Sequence, residues 1–301
     1  MNQNYEKYYV PAQSPWPIVG AIAMFLIAVG AGLTVMQVSG EGSNGQYVLY
    51  LGIAILIYMV FSWFKNVIEE SHKGLYSAQM DRSFRQGMSW FIFSEVMFFM
   101  AFFGALFYAR MISVPWLGGA GNNAMTNEVL WPTFEAVWPL LTTPSGETTQ
   151  AMGWQGLPLI NTLILLTSSV TIHFAHVAME NNKRGALKVF LSLTVLLGVV
   201  FLGLQVYEYM HAYQDLGLTL DAGVYGNTFF LLTGFHGMHV TLGTIILFVV
   251  LLRIFKGHFT SEKHFAFQAA AWYWHFVDVV WLFLFFAVYI WASAGATSAA
   301  H

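Results

Sequence analysis

The sequence predicts an all-α, polytopic membrane protein with seven transmembrane helices. Of its 301 residues, 57% are hydrophobic and only 9% are charged, whereas soluble domains carry about 25% charged residues. The apolar residues gather in long stretches, and none shows the alternation of a membrane β-barrel strand. The net charge of −3 gives no support for a nucleic-acid partner.

Seven apolar segments approach or exceed the roughly 20 residues that a helix needs to cross the hydrocarbon core. In chain order they are 17–38, 47–64, 88–109, 159–179, 189–210, 226–254 and 269–292. The second is short and the sixth is long, which indicates tilt or extension beyond the bilayer. The residues before the first span lack the features of a signal peptide, so we expect that span to be a retained helix.

The basic residues mark one side of the membrane. Every Lys and Arg except Arg110 lies before the first span, between spans two and three or four and five, or at or after the end of span six. The positive-inside rule therefore predicts a cytoplasmic N-terminus and a periplasmic C-terminus. The alternation requires an odd number of spans, in agreement with seven.

The segment of about 110–158 is the only long connection, and it is rich in Trp and Pro. Because Trp favours the membrane interface, we expect a partly ordered cap on the outer face. Its length favours a bacterial inner membrane over a mitochondrial one. No second domain is evident, so we expect one membrane domain, 1–301, with helices 1–2 in 1–64 and helices 3–7 in 65–301.

Ionisable residues at bilayer depth are costly and therefore informative. Glu95 falls near the middle of span three. It is either a proton-exchanging group or a protonated carboxyl bonded to a neighbouring helix or lipid. Glu208 lies near the outer end of span five, and His275 and Asp278 share one face of span seven. For the last pair we favour an interhelical polar contact over a proton wire.

Two histidine pairs have the three-residue spacing that places side chains on one helical face. His173 and His176 lie near the cytoplasmic end of span four, whereas His236 and His239 lie deeper in span six. Because the depths differ, we predict interhelical hydrogen bonds and no metal or haem site. The chain contains no cysteine, which excludes thiolate-bound clusters, and it has no phosphate loop or nucleophile elbow.

The cytoplasmic ends of spans two and six carry aromatic and charged residues, among them Trp63, Glu70 and Arg253. Such residues suit anionic lipid head groups. His72, His258 and His264 share the same predicted face. They either collect protons, since histidine titrates near physiological pH, or belong to a solvated surface.

Motifs along nearly the whole chain resemble subunit III of cytochrome c oxidase, in the haem–copper oxidase superfamily. They begin with Ser14–Pro17, the end of span two and Ser94–Phe99. Further matches follow in order: Leu157–Thr162, Leu204–Gln205 with Glu208–Tyr209, Gly223–Gly226, Thr233–Gly237 with His239–Val240, His258–Ser261, and Trp272–Phe283.

The resemblance implies a seven-helix subunit without cofactors of its own, in a complex that transfers electrons from cytochrome c to oxygen and pumps protons. Haem and copper would reside in subunits I and II. Helices 1–2 would splay from a five-helix bundle and leave a cleft for structural phospholipids, lined by Trp63, Glu70, Glu95 and Arg253. The implied roles are to stabilise the catalytic subunit, bind lipid and support proton uptake.

Three other functions remain open at this point. The first is a proton-coupled transporter with Glu95 as its proton site. The second is an accessory subunit of a nitric oxide reductase, within the same fold family. The third is a haem-binding membrane cytochrome that uses the histidine pairs.

Overall fold

The computed structural model describes residues 8–10, 13–38, 44–142 and 146–291. Seven helices in these ranges are long and apolar enough to cross a membrane. The described residues contain no strands, only an isolated bridge between Thr142 and Thr148. The predicted all-α class with seven membrane-spanning helices is therefore confirmed. The chain divides into two compact units, Met1–Gln86 and Gly87–His301.

The first unit contains α1, Trp16–Val38, and α2, Gly45–His72, and it ends within α3, Ala78–Tyr108. Helix α2 runs beyond the predicted limit of 64, and α3 begins well before the predicted 88. Ion pairs one helical turn apart explain the difference, with Lys65 Nζ 4.0 Å from Glu69 Oε1 and Arg85 Nε 2.7 Å from Asp81 Oδ2. Such pairs stabilise polar helical turns, which a search for apolar stretches does not detect.

Glycines bring the backbones of α1 and α2 together. A Cβ atom at Gly30 would lie 2.3 Å from the Leu49 amide nitrogen, and one at Gly45 would lie 2.5 Å from the Leu33 carbonyl carbon. Only glycine permits so close an approach, the usual role of small residues between membrane helices. Most other side chains of the two helices are exposed, as expected of surfaces that face lipid.

The second unit holds the rest of α3 and the longer part of the chain. After α3 come a π-helical turn, Ala109–Ser113, and the short helices α4, Val114–Leu117, and α5, Ala124–Leu130, which are separated by the 3₁₀ turn Gly121–Asn123. Four long helices follow: α6, Leu157–Glu180; α7, Arg184–Gln214; α8, Val224–Phe255; and α9, Phe265–Leu284, which continues as a π-helical segment, Phe285–Trp291.

Trp274 of α9 is the centre of this bundle and is fully buried. Its indole Nε1–H donates to Ser168 Oγ of α6 at 2.9 Å. A Cβ atom at Gly198 of α7 or Gly243 of α8 would lie 2.8 or 2.9 Å from its ring. One side chain thus packs against three neighbouring helices, and two glycines make room for it.

The long connection between α3 and α6 has regular structure over part of its described length. Besides α4 and α5, it contacts the end of α7 and the start of α8: the Gln150 amide donates to the Leu216 carbonyl at 3.0 Å and the Met152 amide to Tyr225 Oη at 3.3 Å. The Arg110 guanidinium lies 4.0 Å from the centre of the Trp291 ring and also donates to the Trp291 carbonyl oxygen. Arg110, the one Lys or Arg that falls outside the predicted cytoplasmic positions, is therefore held against the end of the last membrane-spanning segment.

Candidate functional site

Several polar side chains of the second unit form hydrogen bonds between helices. Glu95 of α3 and His239 of α8 form the pair that joins α3 to the bundle, with Glu95 Oε2 2.9 Å from His239 Nε2. Phe98 and Phe99 flank the imidazole, with ring centres 5.8 and 4.9 Å away. The carboxyl therefore has as its polar partner an imidazole that is enclosed by aromatic rings.

The hydrogen bonds of His239 determine how many protons this pair must carry. His239 Nδ1 lies 2.6 Å from the Phe235 carbonyl oxygen, and a carbonyl only accepts hydrogen bonds, so Nδ1 carries a hydrogen. The bond at Nε2 then needs one more proton, either on the Glu95 carboxyl or on the imidazole. Glu95 and His239 thus share one proton between α3 and α8.

Two of the other three residues predicted to make interhelical contacts, His236 and His275, do bond neighbouring helices. His236 Nε2 lies 3.2 Å from the Val277 carbonyl oxygen of α9, and His275 Nδ1 lies 2.7 Å from Ser169 Oγ of α6. Asp278 is buried, with Oδ2 3.9 Å from His275 Nδ1, which is too long for a hydrogen bond. Although His236 and His239 share a helical face, His236 contacts α9 and His239 contacts α3.

Glu208 has a partner that the sequence analysis did not identify. It is fully buried, and Tyr289 Oη, from the π-helical segment after α9, donates to its Oε1 at 2.6 Å. Tyr289 is 81 positions away from Glu208 in the sequence and lies within a run of aromatic residues. No local sequence pattern could therefore have indicated this contact.

In the first unit, Trp63 and Glu70 border one groove. Its other walls come from the residues before and at the start of α1, including Ser14 and Trp16. Tyr76 Oη donates to Glu70 Oε2 at 2.8 Å. Burial and the Glu70 carboxylate raise the pKa of Tyr76, so the phenol keeps its proton and holds the carboxylate at the edge of the groove.

In the second unit, Arg253 lies near the end of α8, half-buried, with its guanidinium 4.4 Å from the centre of the Phe259 ring. Its Nε is buried and has no hydrogen-bond partner among the described residues. The guanidinium thus carries a positive charge and an unused donor where α8 ends.

The three histidines proposed to collect protons differ in exposure. His72 is exposed at the end of α2, His258 is half-buried, and His264 is buried with 8% of its surface exposed. His264 Nδ1 lies 3.2 Å from the Thr260 carbonyl oxygen, so its other nitrogen faces the bundle. His264 is therefore a poorer proton-collecting surface group than the sequence suggested.

His264 and His176 come together, which the sequence analysis missed. Their ring centres are 5.9 Å apart, whereas His173, the predicted neighbour of His176, is exposed. With Glu180 they form the one group of three potential metal-ligating residues among those described. The two histidines are 88 positions apart, and only the packing of α6 against the start of α9 brings them together.

Comparison with known proteins agrees with the motifs. The family model described as cytochrome c oxidase subunit III matches residues 6–293. The chain is 40% identical over 295 residues to cytochrome c oxidase subunit 3 of Squalus acanthias, covering 97% of this chain and 100% of that protein. It is 39% identical to the protein of the same name from Danio rerio over 294 residues, again 97% and 100% of the two chains.

Proposed function

Because the chain belongs to the cytochrome c oxidase subunit III family, we propose that it acts as the subunit that stabilises the catalytic subunit and binds structural phospholipid. As a family member it is an integral membrane subunit of an oxidoreductase complex. Haem and copper would reside in subunits I and II, with cytochrome c as the electron donor. We further propose a bacterial inner membrane, with the N-terminus cytoplasmic and the C-terminus periplasmic.

The lipid-binding role is supported above all by Arg253. A half-buried guanidinium needs an anionic partner, yet it lies against the Phe259 ring and its Nε has no hydrogen-bond partner among the described residues. A phospholipid phosphate offers the charge and the acceptor oxygens that this donor lacks, at the depth where helix ends meet head groups. Trp63 and Glu70 border a second candidate head-group groove in the first unit.

A double variant tests lipid binding in the purified oxidase. Replacing Arg253 and Trp63 by Ala removes a cation and an interfacial indole, so the complex should retain less phospholipid and lose activity faster during turnover. Lipid phosphorus per haem and the rate of inactivation measure the two effects. Lys256→Ala is the matched control, since it removes an exposed cation one turn away. Lipid content and inactivation rate equal to those of the unaltered oxidase would exclude this role.

We also propose that histidines on the predicted cytoplasmic face support proton uptake. His72 and His258 are the more accessible of the three candidates, and imidazole exchanges protons near neutral pH. His264 is buried and would exchange protons with the solvent less directly. These histidines would affect the rate at which protons reach the catalytic subunit, because the subunit III family has no catalytic metal centre of its own.

A pH profile of oxidase turnover tests proton collection. The combined replacement of His258 and His264 by Ala should slow turnover most at alkaline pH, where free protons are scarce. His211→Ala is the control, because His211 is a half-buried histidine on the opposite predicted face, with its Nδ1 2.6 Å from Asp215 Oδ2. If the variant and the unaltered oxidase have the same pH profile, the role in proton uptake is wrong.

A further inference from the structure

We infer that His176, Glu180, His264 and Gln268 form a binding site for one divalent transition-metal ion, with Zn²⁺ as the best-suited probe. The site lies where the end of α6 meets the start of α9. It is separate from the proposed lipid contacts and does not depend on them, and it shares only His264 with the histidines proposed to collect protons.

Three ligand atoms already converge at this point. The imidazole nitrogens of His176 and His264 and a carboxylate oxygen of Glu180 all lie within 4.8 Å of one another. Within the group, His176 Nε2 is 3.7 Å from Glu180 Oε1. Tetrahedral zinc with bonds of about 2.1 Å separates its ligands by roughly 3.4 Å, so small side-chain movements complete the geometry.

His264 has the support that metal-binding histidines usually have. Its Nδ1 lies 3.2 Å from the Thr260 carbonyl oxygen, so Nδ1 carries the hydrogen and Nε2 keeps its lone pair. A backbone carbonyl on the far nitrogen commonly fixes the ring of a metal ligand in this way. The ring of His176 is held against Phe267, with centres 5.6 Å apart.

Gln268 occupies the position where a cation would sit. Its Nε2 lies 3.4 Å from His176 Nε2 and 3.2 Å from His264 Nε2. An amide NH₂ can donate to both nitrogens only if each presents a lone pair, so the two imidazoles point their acceptors at one place. The amide oxygen is buried and has no hydrogen-bond partner among the described residues. Rotation of the amide would turn this oxygen toward the ion as a fourth ligand.

The donor set determines the chemical class of the ion. Two imidazoles favour zinc, copper, nickel or iron over magnesium and calcium, which prefer oxygen ligands throughout. Two histidines and one glutamate are a common protein set for zinc. No redox change is required, and the bound ion would fasten the end of α6 to the start of α9.

Equilibrium dialysis of the chelator-treated oxidase complex against radioactive Zn²⁺ tests the site. The unaltered complex should bind one Zn²⁺ more than the His176→Ala complex in the same concentration range. Loss of a direct ligand should weaken binding by more than the roughly 10- to 100-fold seen when outer partners are lost. His173→Ala is the control, because it removes an exposed histidine from the same helix, and its zinc content should not change.

The Gln268→Glu variant tests the site in the opposite direction, in case His176→Ala loses zinc only because it unfolds. A carboxylate in place of the amide adds a stronger, charged ligand, so Zn²⁺ affinity should rise by about 10-fold or more while the helices remain intact. Zn²⁺ should also raise the thermal unfolding temperature of the unaltered complex but not of His176→Ala. Equal stoichiometry and affinity in the unaltered, His176→Ala and Gln268→Glu complexes would overturn the inference.

Discussion

Glu95 and His239 illustrate how much depends on a single proton between two helices. Nδ1 of His239 is committed to the Phe235 carbonyl, so the bond between Nε2 and the carboxyl exists only when one of the two groups carries an extra proton. Sequence reasoning placed Glu95 near the middle of its span but gave no partner, because His239 is 144 positions away.

We predict that an amide can replace the carboxyl and that an alkyl group cannot. Glu95→Gln keeps a donor for His239 Nε2 and should change stability little. Glu95→Leu leaves a nearly buried nitrogen without a partner and should lower the free energy of unfolding by about 1 kcal/mol, as for other hydrogen bonds between membrane helices. Thermal unfolding of the purified oxidase measures both, and equal destabilisation by Gln and Leu would contradict the shared-proton arrangement.

Replacement of Glu95 also distinguishes a role in an oxidase from a role as a transporter. If this chain moved protons by itself through Glu95, liposomes that contain it alone would acidify under a proton gradient, and Glu95→Gln would abolish the flux. We expect no flux above that of empty liposomes for either protein, because the carboxyl is already bonded to an imidazole that is itself flanked by aromatic rings. A flux that depends on Glu95 would favour the transporter.

The sequence identified which polar residues lie within the spans better than it identified the residues that they contact. The expectation that His173 and His176 act together rested on helical spacing, yet packing directs His176 toward His264 and leaves His173 exposed. Spacing rules describe one helix at a time. Contacts such as His176 with His264, or Glu208 with Tyr289, depend on how helices pack and leave no local signal.

At the scale of elements, the lengths of the apolar stretches correctly predicted where the membrane helices lie. They did not predict the residues at which the helices begin and end. Bilayer thickness sets the apolar length, so all seven spans were found. Helix α2 nevertheless continues to His72 and α3 starts at Ala78, because charged residues such as Asp81 and Arg85 support helical turns outside the hydrocarbon.

Two glycines of α7 provide a matched test of bundle packing. A Cβ atom at Gly198 would lie 2.8 Å from the Trp274 ring, whereas one at Gly203 would meet nothing within 4 Å. Gly198→Ala should therefore lower the free energy of unfolding by about 1–3 kcal/mol, the usual cost of overpacking. Gly203→Ala should be neutral or slightly stabilising, since Ala favours helices. Thermal unfolding of the two variants side by side measures the difference, and equal effects would show that Trp274 can move aside.

At the scale of the whole molecule, the exposed apolar surfaces indicate a protein that requires both lipid and partners. Most side chains of α1 and α2 are exposed, and only two residues in each helix are buried. Helices α8 and α9 contain more buried residues than any other helix of the second unit. The family explains this distribution, because a subunit of a membrane complex has neighbours beyond its own helices. The splaying of α1 and α2 and the lipid cleft stay predictions.

Isolation from native membranes is the corresponding whole-molecule test. Captured in mild detergent, the chain should bring larger subunits with it, and the reduced-minus-oxidised absorption spectrum should show haem. Washing in harsh detergent should release this chain without colour, because its cofactors are expected in its partners. A solitary, colourless chain from the mild procedure would contradict membership of a working oxidase.

The glycine contacts between α1 and α2 also bear on the order in which the protein is assembled. Gly30 meets Leu49, and Gly45 meets Leu33, so this interface needs only residues that emerge close together from the ribosome. Trp281 finds Thr162 across 119 positions, and that contact must wait until the last span has been synthesised. Because local contacts form first, the two-helix hairpin can be complete before the bundle closes, and faults in the two units would arise at different moments of synthesis.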